Sequence, residues 1–76
     1  MCVLPAKHKL AAKDVIGPKD LEGEPMIAYV PEDRSRQRMD RVFAKAGVTP
    51  RIVVETIYGS TVCALVAEGV GVGLVN

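Results

Sequence analysis

Residues able to do chemistry are few in these 76 positions, and most fall in two short stretches. Pro31-Glu32-Asp33-Arg34-Ser35 sets two carboxylates beside a hydroxyl. Thr56-Ile57-Tyr58-Gly59-Ser60-Thr61 carries three aliphatic hydroxyls and a phenol. Each stretch precedes a helical pattern, so each opens onto unpaired first-turn N–H groups and the positive end of a helix dipole, which favour an anion. Glu32 and Asp33 can receive an amino or guanidino group, and Tyr58 offers a ring face and a hydroxyl. The combination suits non-covalent binding of a small carboxylate or amino-acid-like molecule. Pro31, Glu32, Asp33 and Ser35 would come from one loop, and Thr56, Tyr58, Ser60 and Thr61 from the other. The plainer role for Asp33, Ser35, Ser60 and Thr61 is helix capping.

Other chemistries find little support. His8 stands alone in a Lys-His-Lys stretch without the His and Cys company a metal or a triad needs, and it reads as a surface residue. No Gly-x-Ser-x-Gly surrounds Ser60. An enzyme would have to rely on Glu55 and Tyr58, poor candidates both, so no catalysis, metal or cofactor is expected. The stretch AEGVGVGLVN has the glycines of a phosphate loop but the wrong order. Such a loop needs strand, glycines, then helix. Here a helix comes first, and its C-terminus repels phosphate. Gly69 then ends that helix, while Gly71 and Gly73 let helix and strand approach closely.

The elements that must position the two loops can be read from pattern and punctuation. Cys2–Leu4 is a short apolar run stopped by Pro5, and Pro18 opens a helical turn. Met26–Val30 is a strand between prolines. Asp33 or Ser35 caps a helix running to Ala46, in which Met39, Val42, Phe43 and Ala46 form one apolar stripe. Gly47 and Pro50 end it. Arg51–Thr56 is β-branched and reads as a strand. Ser60 or Thr61 caps a second helix, Val62–Glu68, and Val72–Val75 is a last strand. Strands alternating with helices indicate an α/β fold with a mixed, mostly parallel sheet flanked by helices. In such sheets ligands sit outside the carboxyl ends of the strands, where both loops lie.

Composition sets bounds. The chain is 49% hydrophobic with no Trp and a single Phe, so its core is aliphatic and suited to strands buried on both faces. A chain this short forms one domain and buries only about 60% of its unfolded surface. The apolar content is high for that and points to a partner surface. Net charge is +1, which drives it toward neither nucleic acid nor membrane. Cys2 and Cys63 form no C-x-x-C and read as reduced thiols, Cys63 as a small core residue. With neither a membrane span nor a signal-peptide core expected, the reading is cytoplasmic. Arg34, Arg38, Arg41 and Lys45 recur on one face of the first helix. Asp40 breaks that face, and no helix-turn-helix accompanies it, so a solvated or subunit-facing surface is expected.

Several stretches then resemble a known family. Leu4-Pro5, His8-Lys9-Leu10-Ala11 and Asp20-Leu21-Glu22-Gly23 resemble the entry to the second lobe of the effector-binding domain of LysR-type transcriptional regulators. RMDRVFAKAGVTPRIVVET is similar to the helix, turn and strand that follow there, and VCALVAEGVGVGLVN to the family's glycine-valine signature. PEDRSRQR and ETIYGSTVCALVAEG resemble most the branch that senses opines and related amino-acid derivatives.

The resemblance implies one lobe of a periplasmic-binding-protein-like (type 2) fold. Residues 1–76 would be the second lobe, without the DNA-binding domain and first lobe. Cys2–Leu4 and Leu74–Asn76 would be hinge crossings. It also implies an effector in the interlobe cleft and no chemistry. DNA contact would come only through the missing domain. Self-association would run through Arg38, Met39, Val42 and Lys45 of the helix with Arg51, Ile52 and Val53 of the next strand. A solute-binding lobe, or a fragment of a biosynthetic enzyme of similar architecture, is the alternative.

Overall fold

Prolines and glycines divide the chain into short segments, and apolar periodicity decides what each becomes. The computed structural model describes residues 2–12 and 15–75. In chain order they form β1 (Cys2–Val3), 3-10 turns at Lys9–Ala12 and Pro18–Leu21, and β2 (Pro25–Tyr29). Then come α1 (Arg34–Ala46), β3 (Arg51–Thr56), α2 (Gly59–Ala67) and β4 (Val72–Leu74). The expected alternation of strand and helix is found, as is the helical turn opened by Pro18. Asn76, expected in a hinge crossing, lies outside the described residues.

The four strands make one sheet in the order β1-β4-β2-β3. β2 runs parallel to both β3 and β4, and β1 closes the sheet antiparallel to β4, so the sheet is mixed and mostly parallel. β2 is central and covered on both faces, which is why its sequence is an unbroken apolar run rather than an alternation. Met26 and Ala28 face one side and pack with Met39 and Phe43 of α1, Leu10, Leu21, Val48 and Val72. Ile27 and Tyr29 face the other and pack with Val62 and Val66 of α2. Each helix thus buries one face of the sheet.

The β2–β3 register skips a residue. Met26 pairs with Ile52, but Ile27 pairs with Val54, so Val53 is an extra residue in β3. The bulge explains why Ile52 and Val54, two apart, serve opposite faces of the sheet. Both helices end alike. Gly47 and Gly69 take left-handed backbone, with φ of 72° and 80°. The amides after them fold back, Val48 to the Phe43 carbonyl and Val70 to the Leu65 carbonyl, closing two Schellman turns.

Element bounds differ from expectation at α2. Ser60 and Thr61 do not cap it. The helix begins at Gly59, Tyr58 stands at the N-cap without a side-chain bond, and both hydroxyl residues lie in the first turn. Gly59 is needed there, since a Cβ on it would come within 2.7 Å of the Tyr29 hydroxyl. The β4 strand stops at Leu74, one residue short of Val75, and β2 stops at Tyr29.

Candidate functional site

The carboxyl ends of β2 and β3 adjoin, and the loops leaving them are tied directly. The Val30 amide donates to the Thr56 carbonyl at 3.1 Å, extending the ladder one step beyond β2. The loop after β2 turns at once, with the Asp33 amide bonded to the Val30 carbonyl at 3.0 Å. The loop after β3 is held by Thr56 itself, whose hydroxyl accepts from the Tyr58 amide at 3.2 Å. The two groups of expected ligand-facing residues therefore share one edge of the sheet.

Their states differ. Asp33 caps α1, accepting the Ser35 amide at 2.7 Å, so the α1 N-terminus already holds a carboxylate. This settles the choice between Asp33 and Ser35 in favour of Asp33. Pro31 and Glu32 are exposed. At α2 the N-cap residue, Tyr58, gives the first turn no side-chain bond. Gly59, Ser60 and Thr61 there keep the N–H groups that a helix leaves without internal partners. Tyr58 stands beside them, 61% exposed. One helix start is thus filled with negative charge and the other is open to it.

Arg36, singled out by nothing in the sequence reading, organises this edge. Its guanidinium donates to the Tyr29 carbonyl at 2.9 Å, to Glu55 at 2.6 Å and to Asp40 at 3.0 Å. It thereby pins the first turn of α1 across the ends of β2 and β3. Burial works against its charge, but the bonds to Glu55 and Asp40 outweigh burial and leave its pKa above the ordinary value. The i, i+4 spacing to Asp40 is visible in sequence; the link to Glu55, 19 residues on, is not.

The residues expected at a subunit face fall in two groups. Arg38 and Lys45 are exposed and Val42 is 47% exposed on α1, while Met39 is buried in the lobe's own core. On β3, Arg51 and Val53 are exposed and Ile52 is half-buried. A groove of about 320 Å³ lies between α1 and the end of β4, and Arg38, Met39 and Val42 border it. Of the eight residues expected at the ligand edge, only Ser35 borders it too.

Two expectations fail. His8 is not a free surface residue. Its side chain is 15% exposed, its Nδ1 accepts the Leu10 amide at 3.0 Å, and its Nε2 meets Glu24 at 2.5 Å. With Nδ1 accepting, Nε2 carries the hydrogen and donates it. That bond lowers the Glu24 pKa, burial opposes it, and Lys9 at 3.2 Å adds to the lowering. Cys63 is not a core residue. It lies exposed on the outer side of α2, whose inner side is Val62 and Val66. Burial raises the Cys2 thiol pKa. Among the described residues no three metal-ligating side chains converge, and no helix is long and apolar enough to cross a membrane.

The glycine stretch behaves as its order implied. A Cβ on Gly73 would overlap Val62 of α2, and one on Gly71 would overlap the Pro25 carbonyl. These glycines seat α2 and β2 against β4.

This arrangement has clear counterparts. The family model described as the LysR substrate binding domain matches residues 1–76. The transcriptional activator protein LysR of Escherichia coli K12 is 43% identical over all 76 residues, which cover 24% of its length. The crystal structure of HinK, a LysR family regulator from Pseudomonas aeruginosa, superposes with a TM-score of 0.86 at 30% identity, over 97% of this chain and 25% of that one. The effector binding domain of QuiR, in complex with shikimate, superposes with a TM-score of 0.91 at 23% identity, a likeness of fold, over 97% of this chain and 35% of that one. The chain spans about a quarter of the length of the curated relative. The relatives are regulators of transcription rather than enzymes. Matched from first residue to last and folded as an α/β lobe of the periplasmic-binding-protein-like type, this chain belongs to the LysR substrate-binding domain family.

Proposed function

We propose that this chain is the second lobe of the effector-binding domain of a LysR-type regulator, sensing a small carboxylate or amino-acid-like molecule at the joined carboxyl edge of β2 and β3. One observation carries the reading: the Val30–Thr56 bond sets an acid-filled helix start beside an uncapped one. A carboxylate is favoured at the amides of Gly59–Thr61. An amino group is favoured toward Glu32 and the outer side of Asp33. Tyr58 and Thr56 border the space, and Pro31, Ser35 and Ser60 shape its walls. An amino-acid derivative of the opine type fits that polarity, and the complex of QuiR with shikimate supports a small ligand at this kind of domain.

The effector closes the lobe against a first lobe and so biases the arrangement of subunits, a shift as large as its differential affinity for the two arrangements. Self-association runs through the α1 and β3 faces carrying Arg38, Val42, Lys45, Arg51 and Val53, with Ile52 half-buried between them and Met39 beneath them in the core. DNA is reached through a separate domain of a cytoplasmic regulator.

The test is a thermal-shift screen of the chain against amino acids and simple carboxylates, with Glu32→Lys as the control. A ligand at 100 times its Kd stabilises by about 2.7 kcal/mol. Amino-bearing carboxylates should raise the melting temperature, and Glu32→Lys should remove the gain that the amino group adds. Stabilisation by no carboxylate, or by amines alone, would sink the reading.

A further inference from the structure

Building on the effector reading proposed above, we infer that Tyr29, a core residue of β2, is a further effector-binding residue whose hydroxyl donates to the effector's carboxylate at the start of α2. Tyr29 is 8% exposed, and its ring packs with Ile27, Val62 and Val66. A Phe ring would fill the same space, so packing does not account for the hydroxyl. A buried phenol usually finds a hydrogen-bond partner inside the protein. This hydroxyl has none among the described residues, for Arg36 holds the Tyr29 carbonyl instead. Nor is it sealed in, since no fully buried side-chain oxygen among the described residues is left without a partner. It is the open end of a buried side chain.

What the hydroxyl opens onto decides what it binds. A Cβ on Gly59 would stand 2.7 Å from it, so glycine at this position keeps the hydroxyl uncovered. The bonds of α2 begin with the Val62 amide, which donates to the Tyr58 carbonyl. The amides of Gly59, Ser60 and Thr61 come before it and have no partner within the helix. The Tyr58 amide is already taken by the Thr56 hydroxyl. No acid intrudes: Gly59–Ala67 carries no charged residue, and Glu55 is turned to Arg36. The phenol and the three amides are all neutral donors at the positive end of a helix dipole, and that set selects an anion. A carboxylate has acceptor sites enough for both the amides and the phenol. At α1 the corresponding place is held by Asp33. Tyr29 thus fixes the effector's orientation, with its carboxylate at α2 and its amino group toward Glu32.

The experiment is a nuclear magnetic resonance titration of the chain, labelled with ¹⁵N and with ¹³C at tyrosine Cζ, using glycine, acetate and methylamine as probes. Tyr29 and Tyr58 are the two tyrosines, so the Cζ signal absent from Tyr29→Phe is that of Tyr29. Glycine and acetate should move the Gly59, Ser60 and Thr61 amides and the Tyr29 Cζ signal along one saturation curve. Methylamine, without a carboxylate, should move neither. Tyr29→Phe should bind both carboxylates about tenfold more weakly, the worth of one hydrogen bond to a charged group. Its melting temperature without ligand should match the parent's, because the hydroxyl has no internal partner. A lower one would mean that the hydroxyl serves the fold and would overturn the inference. Saturable shifts at Gly59–Thr61 with equal affinity in the parent and Tyr29→Phe would also overturn it, while leaving the effector reading intact. No saturable shift in either protein, or an equal response to methylamine, would remove the inference and the effector reading together.

Discussion

Glu24 is the carboxylate whose protonation should be felt most directly. His8, 16 residues away in sequence, donates to it, and Lys9 adds its charge. These contacts hold the N-terminal segment against the turn that leads into β2. Because the folded pKa is below the unfolded one, the stabilisation is present above the ordinary glutamate value. It is lost as pH falls through the lower, folded value. The chain should therefore lose stability as pH drops below about 4. Glu24→Gln should be less stable than the parent at neutral pH and should show a shallower acid loss, in urea midpoints measured across that range. Equal slopes for the two proteins would mean the pair contributes nothing to linkage. At this scale the sequence was least legible. A pairing 16 residues apart leaves no local mark, so His8 reads as one more polar residue among lysines. Arg36 shows only its i, i+4 partner and hides the Glu55 and Tyr29 bonds that place it.

Among the elements, the seat of α2 on the sheet depends on what is missing at Gly73. A methyl there would meet Val62 and lie 3.3 Å from the Val66 methyl, and both valines are almost fully buried. Overpacking of this kind costs about 1–3 kcal/mol. Gly73→Ala should lower the melting temperature by roughly 4–8 °C per kcal/mol in a domain of this size, and differential scanning calorimetry reads it directly. A shift within error would mean that α2 slides freely on β4. Element order was legible because Gly47, Pro50 and Gly69 are strong punctuation and the stripe on α1 is clean. The face of α2 was not. Every residue of GSTVCALVA is uncharged, so periodicity cannot say which side turns inward, and Cys63 was placed in the core when it is exposed. Its start was misread for a related reason. Ser60 and Thr61 look like caps, but the helix already begins at Gly59, a residue of low helix propensity that Tyr29 keeps free of a side chain.

For the whole molecule, the surplus of apolar and cationic surface is the quantity that a partner must answer. The outer residues of α1 and β3 include Val42 and Val53, 47% and 44% exposed, beside Arg38, Arg41, Lys45 and Arg51. In a regulator that carries this lobe together with a first lobe, that face should meet a surface of opposite charge on another subunit. Rim charges of this kind act on association rate and salt dependence more than on the apolar core of a contact. Arg41→Glu should therefore weaken self-association and reverse its salt response: salt should weaken the parent assembly and spare the variant's. Among the described residues Arg41 makes no ion pair, and it is not one of the residues of the joined loop edge. Its reversal therefore tests the subunit face without touching the proposed effector edge. Light scattering at two salt concentrations decides it. An unchanged assembly mass for Arg41→Glu at low salt would place the contact elsewhere.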